Sequence, residues 1–432
     1  MFSALRTRSF GQRSGPGKTN GGLAVAAKTH MHFRNIRPVQ MKKADWSALG
    51  LLAFEIPSFF LSQYRANSAR TTEAIILAVL IYFVVRLLVS TPTRKIGLVG
   101  LLSVGGCWLT LSGIRGFISG TGRLAQVGLT DFVAFRSRLV NPIGGWLPGE
   151  AFTVLLLTLS PACAVAAYVW RRDKNAIALI AFVVALITAG LTLSLSRAVF
   201  WSTVLFFVST YGLMATYRVV TLWTASLWLT GTLAGLLVVL VCESIVYPGL
   251  FKAYSGSHAS QNRSTQGRLN IWTRSFELMR GHRLWGVGSA NAALFLTSSA
   301  SQEDTTGFAS RTFSLPVQVL MEKGIVGFGL YSAFLVLVGY EFHRTMRCES
   351  QDTHLPLQTH RKGRASSKRK QEALQLLQAE AAHKAMKCCF AADMLAVLFR
   401  ELTYSSLLEH ALTLVLFSAL AALASGEVSD AL

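Results

Sequence analysis

Arginines in two polar stretches, and at one boundary between apolar stretches, are the residues whose type and surroundings best suit chemistry. Arg197 follows Ser196 between two apolar runs, and Arg268 lies in a polar segment, 246–317, that carries six arginines. A guanidinium binds two phosphate oxygens at once and keeps its charge when partly dehydrated. The pattern indicates a pocket for an anionic, phosphate-bearing ligand. A solvated helix with scattered arginines is the alternative.

The segment 246–317 has an internal helix signal. Ser264 or Thr265 can cap a helix over about 267–281, and Gly281 can end it. On that helix Arg268 shares a face with Ile271 or Trp272 and with Phe276, whereas Arg274 points elsewhere. We predict that Arg268 acts in catalysis and that Trp272 and Arg274 help to bind the ligand.

Other polar residues are weaker candidates for the same site. Arg136 and Arg138 lie in the stretch 114–149, where they either close over a ligand or anchor the next apolar segment. Glu322 is predicted to contribute to binding, either as the partner of an arginine or as a carboxylate that favours a helix N-terminus. An ionisable residue such as Arg197 at a membrane boundary indicates function by default, although it can also be a snorkelling anchor.

The composition shows which elements must position these side chains. Of 432 residues, 52% are hydrophobic and only 15% are charged, with a mean hydropathy of +0.43. The apolar residues fall in blocks of roughly 17–24, the length that crosses a bilayer. We therefore predict an all-α, polytopic membrane protein with about ten transmembrane helices and a large periplasmic loop that contains a short helix. The predicted spans are 46–62, 74–90, 97–113, 150–170, 176–195, 199–216, 222–245, 318–340, 388–400 and 411–425.

The net charge of +21 indicates how the chain is oriented in the membrane, and it does not indicate a nucleic-acid partner. Most Lys and Arg residues flank the spans on one side, which predicts that both termini are cytoplasmic and that nucleic acid is not a ligand. A helix is expected in the basic insert, at 370–387. The predicted divisions are a disordered basic tail (1–45), helices one to seven (46–245) with the outer loop 114–149, the periplasmic loop (246–317), helix eight (318–340), the cytoplasmic insert (342–387) and helices nine and ten (388–425).

Cysteine and histidine spacing offers no metal site. The six cysteines all fall in predicted spans or on the cytoplasmic side, so no outer disulfide framework is expected. No Cys/His cluster has zinc spacing, and no outer carboxylate pair suggests a divalent ion. We expect a metal-free mechanism without a cofactor.

Motifs in a fixed order connect these residues to a known superfamily. Ser196-Arg197 ends an apolar segment, Arg268, Trp272 and Gly286-x-Gly288 follow in the large loop, and Gln318-x-Leu320-x-Glu322-x-Gly324 leads into the next span. In this order, over roughly 50–425, the chain resembles the O-antigen ligase and O-antigen polymerase superfamily of bacterial envelope glycosyltransferases. A Gly-x-Gly by itself is weak evidence for phosphate binding.

The resemblance implies a reaction and its partners. Members of the superfamily take a glycan carried on undecaprenyl diphosphate and transfer it, on the periplasmic side of the inner membrane and without metal, to a lipid-linked or core-sugar acceptor. Arg197 and Arg268 correspond to arginines that hold the donor diphosphate, and membrane lipids surround the protein.

One position departs from the ligase pattern. Ligases carry His-Asn shortly before the Gln-x-Leu-x-Glu-x-Gly stretch, with the His as proposed general base, whereas this chain has Phe313-Ser314. Arg311 lies next to that position and is a candidate for an electrostatic role in catalysis. His258 and His282 are possible substitutes for the base. The departure leaves open a ligase, a polymerase or a ligase for another polymer.

Two other classes of protein remain as alternatives. A transporter or flippase for an anionic lipid-linked solute would place polar residues and broken helices near the middle of its spans. The mid-span segments are expected to be plain, which counts against this class. A non-catalytic assembly scaffold is the other alternative, and the replacement of His by Phe313 supports it.

Overall fold

The structure of the protein, a computed structural model, describes residues 41–89, 92–127, 158, 182–188, 191, 197–217, 219, 258–298, 312, 314–352, 367–402 and 411–425. Every regular element among these residues is a helix, which confirms the all-α prediction. The helices are α1 (Lys43–Leu61), α2 (Arg65–Leu88), α3 (Pro92–Val127), α4 (Arg197–Thr216), α5 (His258–Leu278), α6 (Ala292–Ser298), α7 (Leu315–Asp352), α8 (Ser367–Glu401) and α9 (Ala411–Ser425).

Helices α1, α2, α3 and α7 each contain a stretch that is long and apolar enough to cross a membrane. In the described residues there are four: Lys43–Leu61, Arg65–Leu88, Arg94–Ser112 and Leu315–Arg347. A shorter apolar helix covers Thr413–Ala424. The predicted spans at 150–170, 222–245 and most of 176–195 lie outside the described residues, so the predicted number of about ten stays a prediction.

Packing joins helices that are distant in sequence. α7 packs on α1, α8 packs on α4, and α9 packs on α2. The last of these contacts is close because α9 contributes small buried residues, including Ala421, Ala422 and Ala424. Small side chains let helix backbones approach in an apolar environment where burial of apolar surface alone provides little drive for association.

A helix in the basic insert was expected, and the structure contains one. α8 runs without a break through the helix predicted at 370–387 and on through the span predicted at 388–400. Its buried residues Ala385 and Cys388 pack against Phe342 and Met346 of α7. The second half of α8 therefore belongs to the helix bundle.

An ion pair ties α1 to α2 where α1 begins and α2 ends. Asp45 pairs with Arg86, and the Tyr82 hydroxyl donates to the Asp45 carboxylate at 3.1 Å. Arg86 also donates to the Tyr82 oxygen at 3.0 Å. All three groups are largely buried, so each depends on the others for its hydrogen bonds.

A buried basic cluster lies on α8 and at the start of α3. His383, Lys384, Lys387 and Lys95 are all buried. Within the described part of the chain, neither ring nitrogen of His383 has a hydrogen-bond partner. Burial, and then the positive charges of Lys95, Lys387 and Lys384, hold the pKa of His383 well below its usual value. His383 is therefore neutral at physiological pH.

We expect this histidine to make the protein sensitive to acid. Below about pH 6.5 the His383 ring binds a proton in the unfolded chain but stays neutral in the folded protein. The free energy of unfolding should therefore fall by up to about 1.4 kcal/mol for each pH unit below that value. Thermal unfolding in detergent between pH 7.5 and 5.5 measures this, and His383→Gln should flatten the slope. Thr273→Gln, at an exposed position without a titratable group, is the control and should keep the wild-type slope. Equal slopes in wild type and His383→Gln would contradict the prediction.

Candidate active site

Helix α7 is interrupted near its start. Gly324 has φ 64° and ψ −168°, which is not helical, so the chain leaves the helix there and resumes it. The interruption frees backbone groups that a continuous helix would bond internally. At membrane depth such groups are tolerated only where other parts of the protein satisfy them.

The segment 283–288 supplies the missing backbone partners. On one side of the break, Ile325 N donates to Arg283 O at 2.8 Å. On the other side, Gly288 N donates to Glu322 O at 2.9 Å. Further bonds of the same kind join Val326 N to Leu284 O and Val287 N to Met321 O.

Two glycine motifs meet at this junction. Gly286 has φ 72°, and a Cβ there would lie 2.3 Å from the carbonyl carbon of Glu322. A Cβ on Gly324 would lie 2.3 Å from the carbonyl oxygen of Leu284. Backbone against backbone leaves no room for a side chain, so both positions require glycine. The Gly286-x-Gly288 and Glu322-x-Gly324 motifs thus form one structural unit.

A buried ion pair lies beside the junction. Lys323 pairs with Glu55 of α1, and both side chains are almost completely removed from solvent. The Lys323 ammonium also donates to the Ser289 hydroxyl, and Ser289 Oγ lies 3.4 Å from the same Glu55 carboxylate. The pair joins α1, the 283–291 segment and α7 at one point. Isolating either charge there would be costly.

Further hydrogen bonds connect the same segment to the α1–α2 connection. The Ser68 hydroxyl donates to Ser289 O at 2.8 Å, and Asn291 Nδ2 donates to Ser62 Oγ at 2.7 Å. Asn291 Nδ2 also bonds Val287 O at 2.9 Å. The segment is therefore held by two helices and by the connection between them.

Helix α5 packs against the 283–291 segment, α6 and the first part of α7. It begins at His258, nine residues before the predicted start, and ends in a 3₁₀ turn, Met279–Gly281. A small apolar core fixes it in place; its buried members are Ile271, Met279, Val287, Ala292, Leu296 and Met321. Arg268, Trp272 and Phe276 lie four residues apart on this helix, as the sequence indicated, but Phe276 is 50% exposed while Ser275 next to it is buried.

Arg268 and Trp272 lie one turn apart on α5, and both are half-buried. Burial lowers the pKa of the Arg268 guanidinium, although arginine still keeps its proton at neutral pH. Trp272 Nε1 donates to Thr312 O at 2.8 Å. Thr312 lies three residues before the first residue of α7, Leu315, so this bond ties α5 to the chain just before α7.

Glu322 is buried and accepts a hydrogen bond from Gln318 Nε2 at 3.2 Å. It lies two residues before Gly324, where α7 is interrupted and then resumes, and its predicted role at a helix N-terminus stays a prediction. Its backbone oxygen is the one that Gly288 N binds. The structure therefore places Glu322 at the junction, beside the Lys323–Glu55 pair.

The other predicted site residues are placed only in part. Arg274 is half-buried on α5. Arg197 begins α4, and its side chain lies outside the described structure, as do Arg136, Arg138 and Arg311. The predictions for these four side chains stay predictions. His282 lies edge-on to the Phe295 ring, with centroids 5.9 Å apart.

Sequence reasoning missed Glu55 and Lys323. Both are charged residues inside stretches that read as spans, and the rule that singled out Arg197 applies equally to them. The expectation that mid-span segments are plain does not hold for the span 46–62, where Glu55 is central, whereas Lys323 lies near one end of the span 318–340. Among the described residues, no three His, Cys, Asp or Glu side chains come close enough together to hold a metal ion.

Four helices long and apolar enough to cross a membrane, among the described residues, define an integral membrane protein. Residues 180–332 match the family model described as O-Antigen ligase. This match confirms the resemblance to the O-antigen ligase and polymerase superfamily over a segment that includes α4, α5 and the junction. A search of curated proteins finds no match to the chain.

Proposed function

We propose that the protein is a glycosyltransferase of the O-antigen ligase type. It transfers a glycan from undecaprenyl diphosphate to a lipid-linked or core-sugar acceptor at the periplasmic face of the bacterial inner membrane, and it requires no metal ion. The observation that carries the proposal is Arg268, half-buried on α5 within the matched segment and one turn from Trp272.

The physical case rests on the partly dehydrated charge of Arg268. Removal from water destabilises a cation, so a bound anion gains more from Arg268 than from an arginine in bulk solvent. A diphosphate leaving group gains negative charge as the glycosidic C–O bond breaks. A positioned guanidinium stabilises that charge. Arg197, at the start of α4, is proposed to act with it, and Arg136, Arg138, Arg274 and Arg311 to extend the same binding surface.

The reaction then follows a simple balance. The acceptor hydroxyl attacks the anomeric carbon, a new C–O bond forms, and undecaprenyl diphosphate leaves with the bonding electrons. The hydroxyl proton passes to a base or to solvent. Because Phe313 occupies the position of the ligase histidine, that histidine is not the base in this protein. Arg311, next to this position, is proposed to assist by its charge.

A polymerase of the same superfamily is the second candidate. Phe313 favours it, since the histidine that it replaces belongs to the ligase pattern. A transporter is less well supported, even though α7 is broken. Its break is filled by the backbone of 283–288, and the Lys323–Glu55 pair beside it is sealed from solvent, so neither lines a pathway.

A transfer assay in detergent micelles tests the proposal. A bacterial strain that lacks the gene for this protein should lack one surface glycan and accumulate its lipid-linked precursor. That precursor is extracted and mixed with the purified protein as the glycan donor. Transfer of glycan in micelles is expected, and it should survive a metal chelator. A transporter would show no activity in micelles, because micelles do not separate two compartments. A single added glycan indicates a ligase, and a ladder of repeats indicates a polymerase. The proposal would be refuted if the purified protein transferred glycan to none of the acceptors and the surface glycans of the deletion strain were normal.

A further inference from the structure

Several backbone groups of the segment 283–288 are hydrogen bonded within the protein. Its carbonyl oxygens at Arg283 and Leu284 accept from α7, and its amide groups at Val287 and Gly288 donate to α7. Gly286 N is bonded within the segment, to His282 O at 2.8 Å. Backbone that is satisfied in this way can lie at membrane depth, whereas an ordinary loop cannot.

Two neighbouring side chains of the segment, Leu284 and Trp285, are apolar and exposed. Leu284 is 61% exposed, and Trp285 is 42% exposed while its ring stacks on Phe54 of α1 at 5.7 Å. A soluble loop rarely leaves two such neighbours uncovered, and a large exposed apolar patch indicates an interaction surface.

The exposed surface of α7 continues this patch. Ile325 and Val326, whose backbone is bonded to the segment, are exposed, and so is Phe328 one turn further on. These residues lie in the candidate span Leu315–Arg347, so their exposed side chains face lipid. Leu284 is bonded to Val326 through the backbone and therefore lies on the same lipid-facing surface.

We propose that Leu284 and Trp285 insert into the bilayer as a short re-entrant wedge, with lipid acyl chains as their partner. Arg283, which is exposed and directly precedes them, lies at the headgroup level, where a long cationic side chain reaches water. Tryptophan suits the boundary between acyl chains and headgroups. This membrane contact holds whichever glycan the protein transfers, and it sets the depth at which α5 is anchored.

The rate at which a maleimide labels single introduced cysteines tests the wedge. The membranes are first freeze–thawed so that the reagent reaches both faces. Leu284→Cys is compared with Thr273→Cys, an exposed position on α5 outside the wedge, and wild type gives the background of native cysteines. A charged maleimide should label position 284 at least about tenfold more slowly than position 273, since a charge does not enter the hydrocarbon region. Both should label fully after denaturation. Equal rates in membranes would overturn the proposal.

A second measurement does not depend on a new cysteine. In vesicles of acyl-chain-brominated lipids, the fluorescence lost per molecule, relative to unbrominated vesicles, should be larger for the wild type than for Trp285→Phe. If the lost signal is the same in both proteins, Trp285 does not touch acyl chains and the wedge is refuted.

Discussion

Replacement of Arg268 by alanine should lower the rate of glycan transfer by about 100-fold or more while the protein still reaches the membrane. The guanidinium is proposed to face the charge that develops on the diphosphate leaving group, and loss of one positioned donor of this kind costs on the order of 100- to 1,000-fold. The side chain is half-buried on the surface of α5 and lies outside the Lys323–Glu55 network, so folding should be little affected. The rate is measured in micelles with lipid-linked donor.

Two further variants make the Arg268 result specific. Arg280→Ala removes the same charge from an exposed position just after α5 and should transfer at close to the wild-type rate. Arg268→Lys keeps the charge but loses the paired hydrogen bonds, so an intermediate rate is expected. If Arg268→Ala were as active as Arg280→Ala, Arg268 would not hold the diphosphate.

Replacement of Lys323 by methionine should reduce the free energy of unfolding by about 3–5 kcal/mol, because it leaves the Glu55 carboxylate buried without its partner charge. The junction between 283–288 and α7 lies beside this pair, so its loss should loosen the support of α5. Abundance in membranes and thermal unfolding in detergent both report the loss.

The double variant Glu55→Gln/Lys323→Met separates the charge from the packing. It leaves no unpaired charge, and a glutamine amide can still hydrogen bond to Ser289. At least half of the lost stability should return, because the penalty in the single variant arises mainly from isolating one charge. A double variant that is as unstable as the sum of its singles would contradict this explanation.

The helical class followed from composition and span length, and the described helices agree. The boundaries did not follow as closely: α2 begins at Arg65, nine residues before its predicted start, and α7 extends to Asp352. Hydropathy marks the apolar centre of a membrane helix, but a helix continues into its polar flanks wherever neighbouring helices cover them. The number of spans stays a prediction because several lie outside the described residues.

The candidate site was predictable in its types of residue. Arg268 and Trp272 were singled out by spacing on one helix, and the structure places both at its half-buried surface. The exposure of Phe276, at the same four-residue spacing, could not be predicted, because spacing does not tell which positions along a helix face a partner covers. Arg197 was singled out by its flanks alone, and its role remains a prediction.

The sequence by itself determined that this is an all-helical membrane protein with arginines suited to a diphosphate, because apolar length and residue type are local properties. Only the tertiary structure decided that Gly286 and Gly324 face each other across a broken helix and that Glu55 meets Lys323, which lies 268 residues further along the chain. Contacts of that range depend on how helices pack, and a single sequence carries no local signal for them. The same packing leaves Leu284 and Trp285 exposed beside α7.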